Sequence, residues 1–120
     1  MKTNHEALES LHDYTDGIYE MARYWPKESG LPYHVWFNEI PSGDPWVKIQ
    51  VGDYLIPVSI SKDPEIMLTG KLLSTAMELL KGAERQMVFD FISRNYDVIM
   101  AHWNDEFTSR QMLSKLQKTE

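Results

Sequence analysis

The sequence contains no cysteine, and this absence excludes disulfide bonds, thiolate nucleophiles and cysteine-ligated zinc sites. It also has no apolar run of about 20 residues, the length that a membrane-spanning helix requires. Its first residues, MKTNHEALESLHDY, carry charged side chains and histidines where a secretory signal has an uninterrupted apolar segment. We therefore expect a cytoplasmic protein with no membrane partner.

Positive charge is scarce. Twelve Lys and Arg residues stand against eighteen Asp and Glu residues, which leaves a formal net charge of −6. Such a chain has no overall basic field to hold a phosphate backbone, so we expect no nucleic-acid partner. The 120 residues, 42% of them hydrophobic, suit a single domain spanning residues 1–120.

Catalytic signatures are absent as well. The sequence has no GxSxG elbow, HExxH pair, phosphate-binding loop or dinucleotide fingerprint. Paired carboxylates leave no sequence signature, and eighteen acidic residues make a coincidental pairing the better explanation. An enzyme is therefore the less favoured interpretation, and we expect no cofactor.

The pattern of apolar residues predicts an α+β fold. Residues of alternating character predict three strands, at about 33–38, 46–51 and 54–60. Gly52-Asp53 is typical of a two-residue hairpin turn, and Pro57, which lacks an amide hydrogen, is typical of an edge strand. The predicted sheet is therefore an antiparallel meander with its strands in sequence order.

Apolar residues at helical spacing predict four helices, at about 5–25, 71–81, 84–104 and 109–117. The third is the most regular, with a stripe made of Val88, Ile92, Tyr96, Ile99 and Trp103. We expect this helix to close the core over one sheet face, with Trp103 buried and His102 at the edge of the stripe. Thr108 or Ser109 is expected to cap the last helix.

The pentapeptide HWNDE, residues 102–106, could be a site or a helix end. His102 and Glu106 are four residues apart and could hold one zinc ion if the helix continued through them, with His34 as a third ligand. The alternative hypothesis is therefore a small metal-assisted hydrolase or nuclease using His34, His102 and Glu106. The favoured interpretation is structural, because the helix dipole alone stabilises a charged His102 near a helix C-terminus.

The second face of the predicted sheet has an unusual composition. If Val35, Val47 and Ile49 point to the core, the residues that point away are His34, Trp36, Asn38, Trp46, Lys48 and Gln50. Trp36 and Trp46 flank one loop and are predicted to be cross-strand neighbours. Tryptophan with cationic and amide side chains is typical of an interaction surface, although the N-terminal helix could instead cover this face.

We therefore hypothesise a small acidic module, without catalytic activity, that neutralises or scaffolds a protein partner. Its predicted binding surface consists of His34, Trp36, Trp46, Lys48 and Gln50. A second copy of the chain is the other partner that such a surface could take.

Two segments, LIPVSISKDPEIMLTG and FISRNYDVIMAHWNDE, resemble a group of short uncharacterised bacterial proteins. Those proteins carry an IPVSI-type strand followed by a helix that ends in a His-Trp-Asn-Gly/Asp-Glu pattern. The resemblance covers roughly residues 31–116 and implies a compact α+β domain of bacterial origin, with no catalytic residue. The segment LLSTAMELLKG departs from the pattern, which puts the predicted helix at 71–81 in doubt.

Overall fold

The computed structural model describes residues 21–38 and 44–118, which form a four-stranded antiparallel sheet with helices. The strands are β1 (Met21–Tyr24), β2 (His34–Asn38), β3 (Trp46–Val51) and β4 (Tyr54–Ser59), in the order β1-β2-β3-β4. The helices are α1 (Pro26–Ser29), α2 (Gly70–Leu79), α3 (Gly82–Arg94), α4 (Tyr96–Trp103) and α5 (Ser109–Lys115). The predicted α+β meander is confirmed, with one strand more than expected.

The extra strand corrects the predicted helix at 5–25. Residues 21–24 form β1, which pairs antiparallel with β2, while residues 1–20 lie outside the described ranges. Trp25 precedes Pro26, and a residue before proline is driven away from helical angles; Trp25 has φ −77° and ψ 151°. Cross-strand pairing with β2 then outweighs the helix propensity of Met21 and Ala22, since tertiary context overrides intrinsic propensity.

Two turn and edge predictions are confirmed. Gly52 turns the chain between β3 and β4 with a φ of 63°, a value that glycine adopts without steric cost. The carbonyl of Pro57 accepts a hydrogen bond from the Met67 amide at 2.9 Å, on the open side of β4. Because a strand residue directs its nitrogen and its carbonyl to the same side, the missing N–H of Pro57 faces this edge and weakens no pairing with β3.

The core lies between one face of the sheet, here called the inner face, and helices α2 to α5. Its fully buried members come from every layer: Val35, Phe37, Val47, Ile49, Ile56, Val58, Ala76, Leu80, Val88, Phe91, Ile92, Ile99 and Met112. The prediction that residues 84–104 close the core is confirmed, although this segment is two helices, α3 and α4. Within the ranges described, no helix has the length and apolar character that crossing a bilayer demands.

Asn95 separates α3 from α4 and holds the segment that follows α5. Its side chain, 2% exposed, donates through Nδ2 to the carbonyls of Phe91 (2.9 Å) and Gln117 (3.0 Å). Its Oδ1 accepts from the Gln117 amide at 2.7 Å. This buried amide therefore holds the segment after α5 against the break between the two helices.

The burial of the HWNDE segment differs from the prediction. His102 is 4% exposed and Trp103 only partly buried, the reverse of the expected order. The reason is α5, which packs beside α4 and places Ser109 Oγ 2.9 Å from His102 Nε2, in a hydrogen bond. Thr108 caps α5, as predicted, because its Oγ1 accepts from the Gln111 amide at 3.1 Å.

Candidate binding surface

The second face of the sheet, here called the outer face, is made by the alternate strand residues. They are Arg23 on β1, His34, Trp36 and Asn38 on β2, Trp46, Lys48 and Gln50 on β3, and Leu55, Pro57 and Ser59 on β4. Although the chain has eighteen acidic residues, none occupies these positions, while Arg23 and Lys48 are cationic. The charged side chains at the described strand positions of the outer face are therefore all cationic, on a chain that is negative overall.

The five residues predicted for the binding surface all lie on the outer face. In the β2–β3 register His34 is opposite Gln50 and Trp36 is opposite Lys48. Trp46 is displaced by two residues along β3 and packs diagonally against the cluster that Trp36 forms with Leu55. The two tryptophans are therefore neighbours, as predicted, but not a directly opposed pair.

The outer face is less exposed than alternation alone predicts. Trp36 is 9% exposed, Lys48 7% and Leu55 2%. The apolar residues of the described helices nevertheless pack in the inner core, and the outer cluster contains Trp36, Leu55 and Trp46. The predicted covering of this face by a helix at 5–25 concerns residues that lie mainly outside the described ranges.

Hydrogen bonds and ring contacts fix the side chains on β2 and β3. Trp36 Nε1 donates to Gln50 Oε1 at 2.8 Å, and Gln50 Nε2 donates to the Gly52 carbonyl at 3.2 Å. The Lys48 ammonium lies 4.9 Å from the centre of the Trp46 ring, a cation–π distance. These contacts orient the two indole rings before any partner binds.

A shallow pocket of about 200 Å³ opens beside this cluster. Among the described residues its lining consists of Trp46, Lys48, Pro57 and Met67. Met67 reaches the outer face because residues 65–67 run along the open edge of β4. The pocket is small and its described lining combines apolar side chains with one cationic side chain, which suits one inserted side chain better than a whole small-molecule ligand.

Two residues that the sequence analysis assigned to a helix belong to this surface. Arg23 places its Cζ atom 3.6 Å from the centre of the Trp25 ring and 4.9 Å from that of Trp36. Trp25, which follows β1, is 41% exposed and is one of the two most exposed large apolar side chains described, with Met77. The signal that could have revealed them is Trp25-Pro26, because proline excludes the preceding residue from a helix.

His34 is the titratable group at the centre of this arrangement. Burial lowers the pKa of His34 from its ordinary value, and the nearby positive charge of Arg23 lowers it further. Its ring meets Trp25 edge-on, with centres 4.9 Å apart. Its Nδ1 atom is buried and has no hydrogen-bond partner in the part of the chain that the structure describes. His34 is therefore a neutral ring with one unused nitrogen.

The structure does not bring the proposed metal ligands together. His34 lies on the outer face, whereas His102 is buried among the helices that cover the inner face. Helix α4 ends at Trp103, so His102 and Glu106 lack the one-turn spacing that a shared ion requires. Within residues 21–38 and 44–118, no three His, Asp or Glu side chains converge to hold a metal ion.

The end of α4 instead forms a Schellman motif. Asp105 adopts a left-handed φ of 64°, its amide donates to the His102 carbonyl at 3.0 Å, and the Glu106 amide donates to the Ala101 carbonyl at 2.8 Å. These two bonds satisfy carbonyls that the helix end would otherwise leave unpaired. In the described structure HWNDE is thus a helix terminus.

Comparison of the chain with protein-family models, with curated proteins and with solved structures found no significant match.

Proposed function

We propose that this chain is a non-catalytic protein-binding module and that the outer face of its sheet is the binding surface. The observation that carries the proposal is the composition of this face: tryptophan, cationic and amide side chains, with no carboxylate at any described strand position. Tryptophan and arginine dominate the energy of protein interfaces, because they bury a large area and offer directed donors.

The fixed orientation of these side chains supports the proposal. A side chain that is ordered before binding loses less conformational entropy when the partner arrives. Trp36 is held by Gln50, Trp46 by Lys48, and Arg23 by two indole rings. The apolar cluster of the inner core is separate from this face, where Trp25 is 41% exposed and Arg23 and Trp46 are partly exposed, so these side chains can reach a partner.

A neutralising or scaffolding role in the cytoplasm completes the proposal. The metal-assisted hydrolase is not supported, because its ligands lie on opposite sides of the sheet. A second copy of this chain is an alternative partner, and it would be recognised by a molecular mass that rises with concentration.

Selection of peptides, followed by mapping, tests the proposal. A random peptide library is panned against the full chain, and the best peptide is titrated into ¹⁵N-labelled protein while the four indole N–H signals are followed. We expect the signals of Trp25, Trp36 and Trp46 to shift and that of Trp103, on the helical side, to stay in place. Failure to enrich any peptide, or a shift confined to Trp103, would contradict the proposal.

Replacing Trp36 and Trp46 together by Thr tests the same surface by mutation. Because Thr suits strands, we expect the variant to fold and to lose peptide binding. Trp46→Thr alone serves if the double variant unfolds, since Trp46 is only partly buried. The matched control is Met77→Ser, which removes a similarly exposed apolar side chain from α2 and should leave binding unchanged. Unchanged binding by a folded Trp46→Thr variant would contradict the assignment of Trp46 to the surface.

A further inference from the structure

Arg23 has an uncommon environment on the outer face. Its Cζ atom lies 3.6 Å from the centre of the Trp25 ring and 4.9 Å from that of Trp36. The N–H donors of a guanidinium lie in its own plane, so a contact through its face leaves them able to bond to other groups. Within residues 21–38 and 44–118, Arg23 makes no hydrogen bond or ion pair with another side chain. These cation–π contacts thus hold a forked donor for which the described residues supply no side-chain acceptor.

The two rings that hold Arg23 are themselves held. Trp36 is held by its hydrogen bond to Gln50, and Trp25 by its edge contact with His34. The Trp25 side chain is nevertheless 41% exposed. A partner would therefore meet an exposed apolar ring directly beside a charged fork.

The surroundings of Arg23 favour an anion. Arg23, Trp36, Lys48 and Pro57 are successive partners in one row across the four strands. Neither this row nor the other described outward positions contain Asp or Glu, so no carboxylate on the outer face of the described strands competes for the guanidinium. The neutral His34 ring adds no further positive charge but excludes water from one side.

We propose that the cluster of Arg23, Trp25 and Trp36 anchors the binding surface, and that its occupant is an acidic protein segment. An Asp or Glu carboxylate of that segment accepts the paired N–H groups of Arg23, and an adjoining apolar side chain packs on Trp25. This inference rests on the proposed function, because it names the chemistry of the partner. A nucleic acid is less suited, since its dense charge is repelled by a chain of net charge −6.

The test uses hexaglutamate as the probe and hexaglutamine as its uncharged match. Each peptide is titrated into the full ¹⁵N-labelled chain at about 0.15 M salt, where charges more than about 8 Å apart are largely screened and the net charge of the chain matters less. We expect hexaglutamate to shift the Arg23 Nε–H signal and the indole signals of Trp25 and Trp36, with Trp103 unmoved. Hexaglutamine should produce none of these shifts.

Two substitutions separate charge from geometry. Arg23→Gln removes the charge and should weaken hexaglutamate binding about tenfold or more, as expected for a lost charged hydrogen bond. Arg23→Lys keeps the charge but not the fork, and we expect it to recover only part of the affinity. If the glutamine variant does not fold, the lysine variant still tests the inference, because its long cationic side chain can keep the contact with the two rings.

Four outcomes would overturn the inference. The first two are an Arg23 Nε–H signal that hexaglutamate does not shift, and equal hexaglutamate affinity of the wild type and Arg23→Gln. The third is a larger shift of the same signals by a twelve-residue oligothymidylate, which would indicate a nucleic-acid partner. The fourth is a set of nuclear Overhauser contacts from Trp25 to residues 1–20, which would show that the chain itself occupies the surface. This inference and the proposed function fail under different results. Selected peptides that lack carboxylates and bind the Arg23→Gln variant as tightly as the wild type would contradict this inference alone. Failure to enrich any peptide would contradict the proposed function.

Discussion

The two faces of the sheet are built from the same strands but differ in the interactions that hold their side chains. On the inner face every strand contributes buried aliphatic or aromatic residues, and the helices above them add more of the same kind. On the outer face neighbouring positions carry arginine, histidine, tryptophan, lysine and glutamine. Non-directional burial accounts for the first face, whereas the second depends on directed contacts between particular pairs.

Polar groups show the same difference. Asn95, on the helical side, makes three hydrogen bonds and has no unused capacity that burial would penalise. Within the described ranges, His34 on the outer face has a buried ring nitrogen without a partner, and Arg23 has no hydrogen bond or ion pair to another side chain. A protein satisfies the polar groups that serve its fold, so unsatisfied groups gathered on one face indicate a different use for that face.

Adjacent residues on β4 offer the largest test of this comparison. Ile56, fully buried on the inner face, and Leu55, 2% exposed on the outer face, differ mainly in the number of apolar neighbours. We expect Ile56→Ala to lower the free energy of unfolding by about 3–5 kcal/mol and Leu55→Ala by about 2 kcal/mol, because the smaller cluster loses fewer contacts. Urea unfolding gives both values. Equal losses would make the outer face a second core.

Two amide side chains, one on each side of the sheet, should contribute unequally to the free energy of unfolding. Asn95→Ala removes both hydrogen bonds to the Gln117 backbone and one of the two that the Phe91 carbonyl accepts, and we expect a loss of about 2 kcal/mol because Asn95 itself is buried. Gln50→Ala removes the acceptor of Trp36 Nε1 near solvent, where water can replace it, and we expect a loss below about 1 kcal/mol. Chemical denaturation of both variants checks this order, and a reversed order would contradict it.

Substitutions at the helix end in HWNDE should change the free energy of unfolding by about 1 kcal/mol or less. Asp105→Gly removes a side chain from a left-handed position and a negative charge from a helix C-terminus, so the variant should be more stable than the wild type by up to about 1 kcal/mol. Asn104→Gly is the matched control. Its φ of −87° needs no glycine, and the change should destabilise the chain by about 0.5–1 kcal/mol. Destabilisation by Asp105→Gly would show that the carboxylate has another role.

The smallest effect concerns pH. Because burial and Arg23 lower the pKa of His34, the unfolded chain takes up its proton at a higher pH than the folded chain does. Stability contributed by the neutral ring is therefore complete above about pH 6.5, the unfolded value, and declines as the pH falls toward the folded value. Melting temperatures at pH 7.5 and 5.5 should differ more for the wild type than for His34→Gln. Equal differences would contradict this reading of His34.

Much of the sheet could be predicted because its signals are local. Alternation predicted β2 and β3 with their inward residues, a run of β-favouring residues predicted β4, the Gly52-Asp53 pair predicted the hairpin, and Pro57 predicted the edge. The strand β1 could not be predicted from periodicity, because Met21, Ala22 and Trp25 also fit a helical spacing. Trp25-Pro26 marks only where a helix must end, so the pairing of residues 21–24 with β2 decides between the two structures.

The site was predicted in part for the same reason. His34, Trp36, Trp46, Lys48 and Gln50 follow from alternation within single strands. Arg23 and Trp25 required knowledge of β1. The burial of His102 required the position of α5, since a helix with two neighbours has no single apolar stripe from which its buried side can be read.

Substitution of two similarly exposed side chains tests most directly whether the outer face binds a protein partner. Trp25 is 41% exposed beside Arg23, and Met77 is 40% exposed on α2. The measurement is the affinity of one library-selected peptide for the wild type, Trp25→Ser and Met77→Ser. We predict that Trp25→Ser weakens binding at least tenfold, about 1.4 kcal/mol, with Met77→Ser unchanged. Equal affinities for the two variants, or a larger loss with Met77→Ser, would contradict the claim.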